Sequence, residues 1–79
     1  MKRYYRLLEL IEEEEIALKI LDEIRELPNV ASADFADGGA GIIIGTEDGE
    51  FGEVMNRAVN IFAREGKTEL SFDHFVPEN

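Results

Sequence analysis

The chain has 79 residues, no cysteine, and 18 acidic against 8 basic side chains, for a formal net charge of -10. That length allows one domain, residues 1–79, with one small core, to which neither disulfides nor thiolate metal sites contribute. The charge repels nucleic-acid phosphates and anionic membranes, and the longest apolar run, Ile42-Ile43-Ile44, is far below bilayer-spanning length.

The first element turns on four consecutive glutamates, Glu12 to Glu15, set between apolar flanks. Ile16, Ile20, Ile24 and Leu27 form a helical stripe. Extended backwards in steps of three and four, that stripe reaches Glu13 and Glu9, so one helix over residues 3–27 would break its own apolar face. Taking the glutamates as a first helical turn removes the conflict, because carboxylates suit the positive end of a helix. Glu15 and Lys19 then form an i,i+4 pair, and Pro28 stops the helix. Residues 3–10 become a strand. The preferred register points Leu8 and Leu10 inward and Tyr5 and Leu7 outward, which keeps Glu9 out of the core. The alternative is an α-β-β-α-β chain with one long N-terminal helix and three strands.

Val30 to Ala36 and Gly41 to Thr46 read as two strands flanking the hairpin turn Asp37-Gly38-Gly39-Ala40. From Glu50 to Glu65, Phe51, Val54, Met55, Ala58, Ile61 and Phe62 make a helical stripe. Asp48 is placed to cap its start and Gly66 to supply a left-handed stop. Thr68 to Val76 alternates, with Leu70, Phe72 and His74 on one face and Glu69, Ser71, Asp73 and Phe75 on the other; Pro77 ends it.

Strand, helix, strand, strand, helix, strand resembles the ferredoxin-like split β-α-β order. The resemblance implies an α+β two-layer sandwich: a four-stranded antiparallel sheet, strands one and three central, with both helices on one face. The Ile triplet suits a central third strand, while Asp34, Glu69 and Asp73 suit charge-protected edges. The passage Leu27 to Asp34 is similar to the helix-to-strand passage of heavy-metal-associated and amino-acid-sensing (ACT) domains. The paired cysteines of the first family and the Asp and Gly pair of the second are missing, so no functional residue is carried over from either.

Residues that could carry chemistry have simpler roles. Gly38-Gly39-Ala40-Gly41 precedes a strand and no Lys-Ser/Thr follows, which fits a hairpin and not a phosphate cradle. His74 is the only histidine, and alternation sends Ser71 and Asp73 to the face opposite it, so no triad forms. Thr46 to Glu50 lacks the ligand spacing of a calcium loop. Strand three offers Ile43 where RNA-binding members of this architecture need an aromatic.

The expectation is therefore a cytoplasmic, non-catalytic, acidic protein-binding or regulatory domain, with no catalytic residue, metal or cofactor and no nucleic-acid or membrane partner. Two rivals stand beside it. One is a small-molecule sensor of ACT-like architecture. The other is a designed scaffold without biological function, which dense Glu, Lys, Leu and Ile usage would suit. With both helices on one face, strict alternation puts Ala31, Ala33, Phe35, Ile42, Ile44, Leu70 and Phe72 in the core. It puts Tyr5, Leu7, Val30, Ile43 and Phe75 on the uncovered face. So many apolar side chains exceed what an uncovered surface normally shows, which makes that face the candidate interaction surface. Its expected occupant is a second copy, packed sheet to sheet, or a basic partner protein.

Overall fold

The structure, a computed structural model, describes residues 2–77. Its elements are β1 (Lys2–Leu7), α1 (Glu14–Arg25), β2 (Val30–Ala36), β3 (Gly41–Thr46), α2 (Gly52–Ile61) and β4 (Leu70–Val76). The strands form one antiparallel sheet in the order β2-β3-β1-β4. With two helices packed on one side, this is a ferredoxin-like two-layer sandwich. The four-stranded reading holds, and the three-stranded alternative does not.

The glutamates do open a helix. Glu14 and Glu15 lie in the first turn of α1 and Arg25 in its last, both suited to the helix dipole, and Ile20, Leu21 and Ile24 are its buried face. Lys19 pairs with Glu65 at 3.1 Å, bridging to the end of the second helical segment, and not with the expected Glu15. The ends of α2 also differ from expectation. Asp48 does not cap it: the Asp48 carboxylate accepts the Glu50 amide at 2.9 Å, and Phe51 holds the cap position without a side-chain bond. Beyond Ile61 the chain widens into a π-helical turn, Phe62–Gly66, and the left-handed stop is Lys67, with φ 50°. Gly66 instead supplies room, because a β-carbon there would press on the side chains of Ile11 and Ile20.

Tyr5, Ile20, Ile24, Ile42, Ile44 and Phe62 are the largest fully buried side chains, joined by Leu7, Phe51, Val54 and Ala58. This overturns the expected register of the first strand. Tyr5 and Leu7 are 0% and 6% exposed, whereas Leu8 and Leu10 are 69% and 57% exposed. The physical reason is the ladder. Tyr5 lies opposite Ile42 and Phe72, which face the helices, and directly paired residues share a face. Glu9 is kept out of the core by ending the strand early, not by shifting it. The Leu8 amide donates to the Glu69 carbonyl and the Glu9 amide to the Thr68 hydroxyl, both outside the ladder.

Two bulges overturn strict alternation elsewhere. On β2, Val30 faces Thr46 and Ser32 faces Gly45, leaving Ala31 as the extra residue. On β4, Phe72 faces Tyr5 and His74 faces Tyr4, leaving Asp73 as the extra residue. One added residue resets which side chains share a face. Val30 thus packs against the core while Ala31 is exposed. Phe75, opposite Arg3, comes to the helix side with Phe72, and His74 goes to the open side with Tyr4.

The left-handed Asn29 (φ 74°) fastens the start of β2 to the loop before α2. Its side-chain amide donates to Asp48 at 2.6 Å and to the Glu50 carbonyl at 3.1 Å, and its side-chain oxygen accepts the Glu47 and Asp48 amides, each at 3.2 Å. The Glu50 amide first, and then the Asn29 amide, hold the Asp48 carboxyl below its ordinary pKa. A depressed folded-state value gives stabilisation that is present above the unfolded pKa and lost as pH falls through the folded one. The melting midpoint of Asp48→Asn should therefore lie below that of the parent at neutral pH, and the gap should close below about pH 4. At the same latch, Asn29→Ala should cost roughly 1 kcal/mol more than Asn29→Gly, because only glycine adopts the left-handed backbone freely. Equal midpoints for those two variants would mean that the backbone there is unstrained.

Candidate functional site

Of the five residues expected on the uncovered face, Ile43 alone is there. Tyr5 and Leu7 are in the core, Val30 packs against it, and Phe75 lies on the helix side. Around Ile43 the open face carries Tyr4, Arg6, Asp34, Ser71 and His74, with glycines at 41 and 45. It is largely polar and small.

Its most organised feature is centred on Tyr4. The ring lies across Gly41, where a β-carbon would overlap it, and stacks on His74 with centroids 4.9 Å apart and planes 14° apart. The Tyr4 hydroxyl donates to the Asp37 carboxylate, a bond that, with burial, raises the phenol above its ordinary pKa. On the other side of His74, Asp73 lies 3.4 Å from the imidazole Nδ1 and 2.9 Å from the Arg6 guanidinium. His74 first, and then Arg6, hold its carboxyl below the usual range. The bulge makes this cluster, since it brings Asp73 and His74 to the same side. Each side chain in the row Asp37, Tyr4, His74, Asp73, Arg6 is held by contact with its neighbour, which suits a fixed surface more than a reactive one.

Exposed aromatic surface lies elsewhere. Phe72 and Phe75 are 48% and 56% exposed on the helix side of β4, beyond the cover that the helices provide. Their rings meet edge to face at 5.2 Å, and Phe72 meets the buried Tyr5 at 5.9 Å. The Arg3 guanidinium lies 4.3 Å from the ring centre of Phe51, 5.1 Å from Phe75 and 5.3 Å from Phe72. An aromatic run thus passes from core to surface, braced by a cation whose contact with each ring is worth about 0.5–2 kcal/mol. Strict alternation hid this surface. The signal that could have found it is the pair of phenylalanines three residues apart, a spacing that puts both on one face only across a bulge.

Charge is unevenly distributed. Four of the eight basic residues, Lys2, Arg3, Arg6 and Lys67, lie on β1 or just before β4, while Glu12 to Glu15 and Glu47, Asp48, Glu50 and Glu53 load the starts of the helices. The side built from β1 and β4 thus carries half of the chain's basic residues.

A groove of about 460 Å³ lies between α1 and α2, lined by Glu23, Leu27, Arg57, Ile61 and Arg64 among others. Arg57 pairs with Glu53 at 3.0 Å and Arg64 with Glu23 at 2.7 Å, so its cations are already compensated. Among the described residues, no group of three metal-ligating side chains comes together, and no helix is long and apolar enough to cross a membrane. The fold defines the class, a ferredoxin-like α+β sandwich. Comparison with family models, curated proteins and solved structures finds no match.

Proposed function

We propose that the chain is a non-catalytic protein-interaction domain whose contact surface is the aromatic margin of β4 and not the open sheet face. The observation that carries this reading is the half-exposed pair Phe72 and Phe75, braced by the guanidinium of Arg3. Rigid aromatics beside an arginine are the composition of interface anchors, which concentrate binding energy in a few residues. The polar network over the open face, and the internally paired charges of the helix groove, favour neither catalysis nor ligand sensing.

Affinity capture with three tagged chains tests the reading: the parent, Phe72→Ser/Phe75→Ser, and Ile43→Lys. Proteins held by the parent, an untagged copy of the chain included, should be lost with the aromatic variant and kept with Ile43→Lys. Loss with Ile43→Lys alone would return the contact to the open face. Capture of nothing by the parent would refute an interaction role.

A further inference from the structure

We infer that the β4 margin is self-complementary and that its partner is a second copy of this chain, related by a two-fold axis passing between Asp73 and His74. The inference rests on the margin being the interaction surface, and it adds the identity of the occupant.

Four consecutive residues of β4 carry it. Phe72-Asp73-His74-Phe75 has an aromatic at each end and, in the middle, a carboxylate acceptor beside an imidazole donor. Laid antiparallel against itself about its centre, the stretch sets each Phe72 opposite the other copy's Phe75. The same operation sets each Asp73 opposite the other copy's His74. In a regular strand such a match would fail, because residues 72 and 75 would lie on opposite faces. The bulge at Asp73 removes the obstacle. Phe72 and Phe75 both lie on the helix side, paired with Tyr5 and Arg3 of β1. Asp73 and His74 both lie on the open side, shown by the Arg6 contact of the first and the Tyr4 stack of the second. Flanking residues agree, since Ser71 opposite Val76 also joins open side to open side. Each pairing occurs twice, as a two-fold contact requires.

Three further observations bear on the fit. β4 pairs only with β1 among the described residues, so its outer side is unpartnered. A bulge interrupts the hydrogen-bonded ladder locally, so the edge-to-edge pairing of the two β4 strands draws on the facing side chains as well as on backbone bonds. Finally, the charge of -10 would oppose association through an acidic side, but here two copies meet where Lys2, Arg3, Arg6 and Lys67 offset Glu69 and Asp73. Half-exposed rings on a short strand give a modest area, at the low end of specific interfaces.

Because the chain contains no cysteine, a single introduced thiol reports proximity without interference. Ser71→Cys and Val76→Cys chains are oxidised separately and mixed, while sedimentation equilibrium follows the parent from micromolar to millimolar concentration. The two-fold places these positions opposite each other at about 5 Å between Cα atoms, within disulfide reach, and leaves residue 71 roughly 16 Å from its own counterpart. The mixture should give the mixed disulfide at least tenfold faster than either chain dimerises alone, and the parent mass should rise toward twice the monomer. Phe72→Ser/Phe75→Ser, folded by circular dichroism, should remain monomeric. A monomeric parent at every concentration would overturn the inference, as would a dimer that survives the double substitution or that cross-links each variant to itself. A monomeric parent that nonetheless captures another protein through Phe72 and Phe75 would overturn the two-fold contact while sparing the interaction surface.

Discussion

Tyr5→Ala should be the most damaging single truncation on the sheet. The ring is fully buried, and removing a buried aromatic costs about 3–5 kcal/mol, which lowers the melting midpoint of so small a domain by roughly 12–40 °C. Total stability for a domain is about 5–15 kcal/mol, so Tyr5→Ala should leave a visible unfolded population at ambient temperature. Tyr5→Phe should behave oppositely. The hydroxyl is buried without a hydrogen-bond partner among the described residues, and its environment, chiefly burial, raises the phenol above its ordinary pKa. Deleting it removes a desolvation cost of about 1–3 kcal/mol at the expense of an attraction to Arg3, so the midpoint should hold or rise. Leu8→Lys and Leu10→Lys should change stability by no more than about 0.5 kcal/mol, since both side chains are already in water. Thermal melts of the four variants decide between the two registers of β1. Tolerance of Tyr5→Ala together with collapse of Leu8→Lys would restore the outward register.

Gly41→Val should be the second large effect. Its side chain would occupy the space of the Tyr4 ring, which is held between Gly41 and His74 and tied to Asp37. Displacing the ring forfeits an aromatic stack worth about 0.5–1.5 kcal/mol and a bond to a carboxylate worth about 1.5–3 kcal/mol. A combined loss of about 2–4 kcal/mol is expected. The companion measurement is the same substitution in a Tyr4→Ala background, where the space is already empty. Valine should there cost little, or stabilise β3 slightly through its strand preference. A double-mutant cycle showing no coupling between positions 4 and 41 would mean that the ring moves aside freely.

The element order was legible in the sequence because each element carries its own signal. The bounds of β2 and β3 agree with the expected Val30–Ala36 and Gly41–Thr46, and the four glutamates mark the start of α1 within two residues. What one strand does to its neighbour was not legible. The inward turn of Tyr5 follows from its pairing with Ile42 and Phe72, a relation between segments remote in sequence. The bulges at Ala31 and Asp73 have the same origin; the spacing of Phe72 and Phe75 hints at the second, and nothing local marks the first. Alternation in twos fails at each bulge, and each bulge carries one apolar residue off the expected surface, Val30 on β2 and Phe75 on β4. Similarly, Gly66 marks the end of the second helical segment in the sequence, but only the packing of Ile11 and Ile20 shows that its value is its missing side chain.

The two bulges also set where this chain can change length. Shortening β4 by Asp73, or β2 by Ala31, would leave a regular strand in which every remaining side chain keeps its present face. Loss of any other single interior residue of those strands would exchange inside for outside along part of the segment unless the bulge migrated to absorb it. One-residue deletions should therefore be accepted at positions 31 and 73 before they are accepted at their neighbours. Descendants or ancestors of this sequence that differ in length by one residue at those two points would share its buried set, and would differ in whether the outer strands run straight.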